Sequence, residues 1–389
     1  MGMNSDIILD VTRLIIRLAQ GRALTGIDRV SLAYVEQYHR HASAVMRYKG
    51  RHFFYTQAAS RIIFEKLLRR ERQTRTQLAL LYLKDILALR RPRKNGSILI
   101  NVSHSGVDNP AYAPRLKSQG IRPVYMVHDL IPLSHPEYFV AGEKERHIER
   151  VKNILKGSAI IANSSDTMKA LRDFAVNNNL PLPQTAAAPL GTTPLAVPLS
   201  VQRPDKPYFV MLGTIEPRKN HLLILNIWRM LAQKMGNETP ALVIIGHRGW
   251  ECENIIDMID RCEVLSDHVT EIKGCSDDEL ATCLKGASAL LFPSFAEGFG
   301  LPLCEAISLG VPVIAADLPV FREVAGDVPE YIAPINGPAW AEAVTDYMQA
   351  DSQRARDQKN RMKGFTPVTW NDHFAIVEDL LNNLGRAHG

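Results

Sequence analysis

Cysteine is scarce in this 389-residue chain, and its distribution argues against a fold held by disulfides or by structural zinc. The five cysteines all lie in the second half, and no two are spaced as C-x-x-C: Cys252, Cys262, Cys275, Cys283 and Cys304. An odd number without such pairs does not suit a disulfide framework or a structural zinc site. We therefore expect reduced thiols, as is usual for a protein of the cytosol.

Long apolar runs are also missing. No segment reaches the ~18 consecutive apolar residues that indicate a membrane-spanning helix. Near the N-terminus the apolar run 7–9 meets Asp10 and Arg13 almost at once. A signal peptide has a basic flank and a longer apolar stretch, so the pattern does not fit one. The sequence predicts a cytoplasmic protein without a transmembrane segment.

Apolar residues are nevertheless abundant, at 46% of the chain, and they occur in short runs. At roughly 100–200 residues per domain, the length predicts two domains. Short β-branched runs alternate with longer helical patterns, which is typical of α/β domains with doubly wound parallel sheets. The predicted strands are residues 7–11, 98–102, 124–127, 159–162, 208–212, 242–245, 269–272, 289–292 and 313–315.

Proline marks the predicted boundary between the domains. Four prolines occur within residues 194–207, where they prevent a continuous helix or a central strand. We therefore predict an N-terminal domain of residues 1–200 and a second domain of residues 201–367. Residues 368–389 form a separate predicted helix, because Trp370, Phe374, Val377 and Leu381 recur at spacings of three and four.

Positive charge is concentrated in residues 61–94. This segment has eleven basic and three acidic residues, a net charge of +8, although the whole chain carries only +5. Leucines are interleaved with the charges, as in basic amphipathic helices that lie on anionic lipid. A solvated helix face is the other interpretation, and the sequence leaves both open. Nucleic acid is not expected as a partner, since the rest of the chain carries no matching basic surface.

The glycine-rich stretch 292–306 is the most informative motif. A predicted strand ends at Phe292 and a helix begins near Pro302, so Gly298 and Gly300 lie in the loop between them. Backbone N–H groups of such a loop and the helix N-terminus can bind a phosphate. Glu297 and Glu305, eight residues apart, can accept hydrogen bonds from a sugar diol. Helix capping alone would explain Glu305 but not Glu297.

A second loop of the same kind runs from Gly213 to Asn220. It follows the predicted strand 208–212 and precedes a helical pattern, and it contains Arg218 and Lys219 side by side. Two cations at a helix start oppose the helix dipole, so as structure alone they are unfavourable. An anionic ligand reverses that sign, because Arg218 can fork to phosphate oxygens and Lys219 can act as a point charge.

Together these motifs resemble the retaining glycosyltransferases of the GT-B fold, in particular the GT4 family. The resemblance lies in G-x-x-x-x-R-K-N at residues 213–220 and in EGFGLPxxEA at residues 297–306. It implies two Rossmann-like domains facing across a cleft, with the C-terminal helix returning to an acceptor-binding N-terminal domain. The resemblance places these residues around a nucleotide-sugar donor: Gly26, Gly213, Thr214, Arg218, Lys219, Lys273, Gly274, Gly298, Phe299, Gly300, Leu301 and Glu305.

The resemblance also implies individual roles. Arg218 and Lys219 would hold the donor diphosphate, Glu297 the sugar hydroxyls and Glu305 the ribose. In the first half, residues 25–29 resemble the family's glycine loop, and His128-Asp129 resembles its H-D element. His128, Glu297 and Asp28 are thus the catalytic or substrate-orienting candidates. Residues 163–165 resemble a polar strand-end motif or are simply the N-cap of the next helix.

The predicted chemistry needs no metal. No Asp-x-Asp pair occurs in the chain, and fixed cations with helix N-termini can stabilise a departing nucleotide diphosphate instead. The segment 128–138 resembles bacterial surface-polysaccharide mannosyltransferases, so GDP-mannose is the first expected donor. UDP-glucose and dTDP-rhamnose stay open. The expected acceptor is a glycan or a polyprenyl-diphosphate-linked sugar, reached by peripheral contact with the inner membrane.

Three other functions are compatible with parts of the pattern. A GT-B-like sugar-nucleotide 2-epimerase shares the fold but would need no acceptor, and the E-x7-E element with Arg218 and Lys219 argues against it. A Rossmann dehydrogenase is disfavoured because no G-x-G-x-x-G follows the first strand. A non-catalytic sugar-nucleotide sensor would keep the phosphate site, but the presence of His128 makes it the weaker hypothesis.

Overall fold

Two β-sheets organise the chain in a computed structural model that describes residues 6–22, 24–71, 75–87, 95–196 and 206–386. The chain forms two compact units. The first comprises Met1–Leu130, Glu145–Leu190 and Trp370–Gly389, and the second comprises Ile131–Lys144 and Gly191–Thr369.

The strands of both sheets are short and mostly apolar. In chain order they are β1 Ile7–Asp10, β2 Ser43–Tyr48, β3 Arg51–Phe54, β4 Ile98–Asn101, β5 Arg122–Val127, β6 Ala159–Ala162, β7 Gln184–Ala187, β8 Tyr208–Leu212, β9 Ala241–Ile245, β10 Val269–Ile272, β11 Ala289–Phe292, β12 Val313–Ala316 and β13 Glu330–Ile332. The first sheet has the order β3-β2-β1-β4-β5-β6-β7 and the second β10-β9-β8-β11-β12-β13. Neighbouring strands are parallel except β2 and β3.

Helices connect most of the successive strands, as a doubly wound sheet requires, and the last three helices follow β13. They are α1 Thr12–Ala19, α2 Gly26–Tyr38, α3 Gln57–Leu68, α4 Arg75–Leu87, α5 Tyr112–Lys117, α6 Ile131–Ser134, α7 Glu143–Ile154, α8 Ser165–Asn177, α9 His221–Met235, α10 Glu253–Arg261, α11 Asp277–Gly286, α12 Leu301–Ser308, α13 Pro319–Ala325, α14 Gly337–Tyr347, α15 Gln353–Met362 and α16 Trp370–Arg386.

The nine predicted strands are all present, and the structure adds four. The central strands were recognisable because both of their faces are buried; in β1, β4, β6, β11 and β12 every residue is buried. The added strands β2, β3, β7 and β13 lie toward the sheet edges and are partly exposed. Their mixed polar and apolar composition does not produce a continuous apolar run.

The C-terminal helix α16 belongs to the first unit. His373 is fully buried, and its Nε2 lies 2.9 Å from the Tyr34 hydroxyl of α2. Its Nδ1 lies 3.0 Å from the Pro189 carbonyl oxygen, so the ring links helix α2 to the chain that follows β7. Phe374 packs edge-on against Tyr34, with ring centroids 5.0 Å apart.

The division into units differs from the predicted boundary in two respects. The second unit begins at Gly191 rather than near residue 200, and it also includes Ile131–Lys144. That inserted segment is held within the second unit by aromatic contacts. Tyr138 stacks on Phe295 with a centroid distance of 5.3 Å, and the indole of Trp250 donates a hydrogen bond to the Tyr138 carbonyl oxygen. Part of the predicted linker, residues 197–205, lies outside the described residues.

The predicted basic segment is only partly described. Residues 72–74 and 88–94 lie outside the described residues. They contain Arg72 and four other basic residues of the segment 61–94. Helix α3 buries Ile63, Phe64 and Leu67, whereas Ile62 is 44% exposed. Over the ranges that the structure describes, no helix has the length and hydropathy to cross a membrane.

Candidate functional site

The second sheet reverses its strand order at β8 and β11. Strands β9 and β10 lie on one side of β8, and β11, β12 and β13 follow on the other. In an open parallel sheet the loops at such a reversal diverge and leave a crevice at the carboxyl ends of the strands, where ligands bind. The loop after β8 contains Arg218 and Lys219, and the loop after β11 contains Glu297.

Four charged side chains of these two loops form an ion cluster, defined here as Glu216, Arg218, Lys219 and Glu297. Lys219 Nζ lies 2.5 Å from Glu297 Oε1, and Arg218 Nη1 lies 2.9 Å from Glu297 Oε2. Arg218 Nη2 lies 2.5 Å from Glu216 Oε1. The two sequence motifs, seventy-eight residues apart at Lys219 and Glu297, are therefore joined through one carboxylate.

Burial and charge act in opposite directions on this cluster. Burial raises the pKa of Glu297, but the charges of Arg218 and Lys219 outweigh it and lower this pKa to about 2. Burial also raises the pKa of Glu216, which the same two cations only partly oppose. The pKa of Lys219 is lowered by burial, although Glu297 counteracts the effect. A phosphate bound here would contact cations that are already desolvated and held in position.

Backbone contacts fix the direction of the cations. Arg218 Nη1 donates to the Ala296 carbonyl oxygen at 2.6 Å, and the Phe295 N–H donates to the Arg218 carbonyl oxygen at 2.9 Å. Asn220 adopts a left-handed conformation, with a φ of 57°, and its Nδ2 donates to the carbonyl oxygens of Pro293 and Pro334. The Lys219 ammonium also lies 4.9 Å from the centroid of the Phe292 ring. The two loops therefore hold each other in register.

Gly300 is the N-cap of helix α12 and adopts a conformation that requires glycine. Its φ is 109°, and a Cβ at this position would lie 2.8 Å from Cε1 of Phe321. Pro302 follows within the first turn, as the sequence predicted. Phe299 and Glu305 are buried, at 5% and 2% exposure, and Leu301 is the first residue of the helix. The loop and the N-terminal turn of α12 are thus closely packed within the second unit.

The other predicted donor residues are spread more widely. Gly213 has a φ of 137°, and its carbonyl oxygen would lie 1.9 Å from a Cβ on Gly246, so the loops after β8 and β9 touch through glycines. Thr214 follows Gly213 in the loop after β8, and its hydroxyl lies 3.5 Å from Nε2 of His247 in the loop after β9. Lys273 and Gly274 are exposed after edge strand β10, two strands away from β8. The structure does not bring these last two into the ion cluster.

In the first unit His128 lies just after β5 and is 6% exposed. Its Nε2–H donates to the Val102 carbonyl oxygen at 2.7 Å, which fixes the ring. Burial lowers the pKa of His128, so the side chain is neutral at pH 7. The geometry suits a residue that orients a group by hydrogen bonding rather than one that carries charge.

Asp28, the third predicted catalytic or substrate-orienting residue, lies at the start of α2. Its carboxylate is fully buried, and its oxygens pair with Nε of Arg13 and Nε of Arg17, each at 2.8 Å. It also accepts a hydrogen bond from the Thr25 N–H and closes the capping box of α2, in which Gly26 is the first helical residue. Asp28 thus positions two arginines and caps α2, and its predicted role toward a substrate stays a prediction. Residues 163–165 act as a cap, since the Ser164 hydroxyl accepts from the Thr167 N–H.

Sequence reasoning missed Glu216, which is 2% exposed and anchors Arg218. The signal was present, because the residue lies two positions before Arg218 in the same loop. It was not recognisable as a site residue because a glutamate in a loop is ordinarily exposed.

Comparisons with known proteins show which sequences this chain resembles. Residues 200–363 match the sequence model of the family described as glycosyl transferases group 1. The serotype-specific mannosyltransferase WbdA of Escherichia coli is 30% identical over 287 residues, which make up 69% of this chain and 34% of that protein. The O-antigen chain mannosyltransferase RfbU of Salmonella typhimurium is 28% identical over 251 residues, 61% of this chain and 62% of that protein. The matched region thus spans about a third of the first relative and less than two thirds of the second.

Solved structures show the same fold. Alr3699/HepE of Anabaena, crystallised with UDP and glucose, has a TM-score of 0.68 at 15% identity and covers 97% of this chain and 99% of its own. Sucrose-phosphate synthase from Thermosynechococcus elongatus has a TM-score of 0.59 at 17% identity, covering 99% and 98%. These likenesses confirm the predicted fold class, GT-B with two Rossmann-like domains.

Proposed function

We propose that this chain transfers a hexose from a nucleotide-sugar to a glycan or lipid-linked acceptor, because its residues 200–363 match the family of group 1 glycosyl transferases. The proposed setting is the synthesis of a bacterial surface polysaccharide, as the names of its mannosyltransferase relatives suggest. The observation that carries the proposal is the ion cluster at the reversal point of the second sheet, where two partly buried cations of one loop are paired with a carboxylate of the neighbouring loop.

Arg218 and Lys219 stabilise the departing diphosphate. When the sugar–phosphate bond breaks, negative charge grows on the leaving oxygen, and preorganised cations in a poorly solvated site lower the energy of that state. Both cations are paired with Glu297 in the structure, so a bound diphosphate competes with a carboxylate for them. Glu297 can then turn its oxygens to the sugar hydroxyls, and Glu305 binds the ribose.

The reaction retains the anomeric configuration and needs no separate base. The acceptor oxygen bonds to C1 of the hexose on the face from which the nucleotide leaves. The bond between C1 and the phosphate oxygen breaks, and the acceptor proton passes to that departing oxygen. His128 is neutral and fixed by Val102, so its role is to orient a substrate hydroxyl.

Variants of the two glutamates test these roles. Glu305→Ala should weaken binding of the bare nucleoside diphosphate about tenfold or more, because a hydrogen bond to a charged group contributes ~1.5–3 kcal/mol. Glu297→Ala should still bind the bare diphosphate but lose transfer. If calorimetry finds that Glu297→Ala no longer binds the diphosphate, the two roles have been exchanged.

Metal independence is a separate proposal. Among the residues that the structure describes, no cluster of three or more His, Cys, Asp or Glu is arranged to hold a metal ion, but this does not test the reaction. We expect turnover to persist in excess EDTA because Arg218 and Lys219 neutralise the leaving group. Loss of turnover on chelation, with recovery on adding Mg²⁺ or Mn²⁺, would contradict this.

The proposed donor is GDP-mannose, with UDP-glucose and dTDP-rhamnose as the competing donors. A thermal-shift screen with GDP, UDP, dTDP and their sugars selects among them, since a ligand at 100 times its Kd stabilises the folded state by about 2.7 kcal/mol. The decisive assay then supplies the selected sugar-nucleotide with and without an acceptor glycan. Acceptor-dependent release of the nucleotide supports a transferase. Release at the same rate without acceptor, together with an isomerised sugar, would indicate a 2-epimerase.

Peripheral membrane contact through residues 61–94 is also proposed. In the described part, Leu80 and Leu83 on α4 are 59% and 49% exposed, and Ile62 on α3 is 44% exposed, among basic residues. Each basic residue near anionic lipid contributes ~1 kcal/mol. We expect salt-sensitive sedimentation with phosphatidylglycerol vesicles, lost when Arg69, Arg70, Arg72 and Arg75 become glutamine. Equal pelleting of both proteins would favour the solvated-helix interpretation.

A further inference from the structure

The first sheet also reverses its strand order, at β1 and β4. Strands β2 and β3 lie on one side of β1, and β4, β5, β6 and β7 lie on the other. Helix α1 begins two residues after β1, and residues 102–108 follow β4, so these segments occupy the reversal point of the first sheet. By the same topological rule as in the second sheet, a ligand site is expected there.

A cavity of about 450 Å³ opens at this reversal point. We call it the arginine cavity and define it by Arg13, Arg17, Arg22, Arg150 and the loop 103–106, which line it together with Asp108. Its volume lies within the range of roughly 300–1,000 Å³ that is usual for small-molecule sites. All of its lining residues belong to the first unit.

Positive charge exceeds negative charge around the arginine cavity. Four guanidinium groups line it, and Asp28 and Asp108 pair with three of them. Among these six groups the positive charges outnumber the negative ones by two. Burial lowers the pKa of Arg17, Asp28 raises it, and the nearby charges of Arg13 and Arg22 lower it further. Such mutual repulsion among arginines is relieved when an anion binds between them.

The cavity is constructed by buried interactions. Asp28 is fully buried at the start of α2 and orients Arg13 and Arg17 of α1 toward that helix, and Arg13 Nη2 also donates to the Thr25 hydroxyl at 3.3 Å. On the opposite wall Arg150 of α7 pairs with Asp108 at 3.0 Å. Gly106 has a φ of 81°, and the guanidinium of Arg47 occupies the space that a Cβ there would need, so a further cation lies behind the loop.

From this arrangement we infer that the arginine cavity binds a phosphate or diphosphate group. Arginine is the residue that matches phosphate oxygens by paired donors, and several arginines from different elements can surround one such group. Within the proposed function, on which this second step rests, the group belongs to the acceptor: its sugar would be presented for transfer while its phosphate is held by Arg13, Arg17, Arg22 and Arg150.

The test is direct binding to the full chain, measured by calorimetry with inorganic pyrophosphate and with geranyl diphosphate. Arg22→Gln is the informative variant, because Arg22 is exposed and its removal does not disturb the buried Asp28 pairs. Arg172→Gln on α8 is the matched control, since it removes the same charge from another exposed arginine of the same unit. Arg218→Gln removes a cation from the ion cluster of the second unit, where pyrophosphate is also expected to bind.

We expect Arg22→Gln to weaken one pyrophosphate-binding component about tenfold or more, and Arg172→Gln and Arg218→Gln to leave that component in place. The same component should weaken as salt is raised. Equal affinity of Arg22→Gln and Arg172→Gln would overturn the inference, as would loss of all pyrophosphate binding in Arg218→Gln. If Arg218→Gln fails to fold, the comparison of Arg22→Gln with Arg172→Gln decides alone.

The two diphosphates distinguish the sources of the anion. Tighter binding of geranyl diphosphate than of pyrophosphate, sensitive to Arg22→Gln, assigns the site to an isoprenoid-linked acceptor. Equal affinities assign it to a phosphate without a lipid, and both results uphold the anion site. The measurement needs no turnover. Suppose that the protein shows pyrophosphate binding that depends on Arg22 but no transferase activity. The proposed function would then be refuted, whereas the anion site would be upheld.

Discussion

The reversal points of the two sheets have the same topology but different charge balance. At β8 and β11, two cations face two carboxylates, and Glu297 contacts both cations within 2.9 Å. At β1 and β4, four arginines line the cavity and are opposed by Asp28 and Asp108. The four charges of the ion cluster at β8 and β11 cancel, whereas the charges named at β1 and β4 leave a net positive charge. The strand order thus places a potential site, while the side chains decide whether it already contains its counter-ion.

The carboxylates also differ in what they do. Glu297 lies on a loop and pairs with cations from another loop, so a ligand can compete with it. Asp28 lies in the first turn of α2, where it caps the helix and holds two arginines of α1. We expect the first carboxylate to be exchangeable for an anionic ligand and the second to be a permanent part of the fold.

The largest loss of unfolding free energy is expected for Asp28→Ala. This variant leaves Arg13 and Arg17 without their shared buried carboxylate, and breaking a buried ion pair costs about 3–5 kcal/mol of unfolding free energy. Denaturant unfolding measures the loss. Asp108→Asn is the matched control, because Asp108 is 55% exposed and its pairing with Arg150 should contribute less than about 1 kcal/mol. Similar stabilities of the two variants would contradict the structural role of Asp28.

Glu297→Ala is expected to cause the next largest loss of unfolding free energy, and a bound ligand should recover most of that loss. Without this carboxylate, Lys219 and Arg218 lose a buried partner, and we expect a loss of about 3 kcal/mol, since Glu216 still pairs with Arg218. A saturating nucleoside diphosphate should restore most of it, because 100 times the Kd contributes about 2.7 kcal/mol. Thermal melts with and without the ligand measure this. If the ligand stabilises Glu297→Ala less than the wild type, Glu297 is not exchangeable.

Two buried histidines, one in each unit, predict a smaller loss of stability that depends on pH. Burial lowers the pKa of His373 in the first unit to about 4, and burial with the Lys219 charge lowers that of His221 in the second unit to about 3. Unfolding exposes both rings to water, where the pKa is about 6.5. Stability is therefore complete above pH ~6.5 and falls by up to ~1.4 kcal/mol per pH unit for each histidine as the pH drops toward the folded value.

Urea unfolding between pH 7.5 and 4.5 measures this slope. His373→Gln should flatten the profile of the first unit in that window, and His221→Gln that of the second. The contribution of Glu297 is distinguishable, because its folded pKa of about 2 means that it is lost only below the unfolded value of ~4.3. An unchanged slope in His373→Gln would show that His373 is not the titrating group.

The smallest effect is expected for Arg22→Gln. An exposed arginine outside the buried pairs changes the unfolding free energy by no more than about 0.5 kcal/mol, as should the control Arg172→Gln. The difference between the two variants should appear only in pyrophosphate affinity. A stability loss well above that of Arg172→Gln would instead make Arg22 a structural residue.

The second unit was largely readable from the sequence because its motifs are contiguous. Arg218 and Lys219 adjoin each other, and Glu297 lies between a recognisable strand and a helix, so each motif carries its own local signal. The first unit was less readable. Its edge strands β3 and β7, and β2 beside β3, have no continuous apolar run, because side chains at or near the edge of a sheet are only partly buried.

By itself the sequence determined the alternation of strands and helices, the two glycine-rich loops and the charged residue types within them, since these depend on neighbours a few positions apart. Tertiary structure alone decided which charges meet. Asp28 was spaced as a site residue but is buried against Arg13 and Arg17. Arg150 reaches the same cavity from 137 residues beyond Arg13. Electrostatic energy depends on distance and burial in space, and strands that are distant along the chain become neighbours only when the sheet forms.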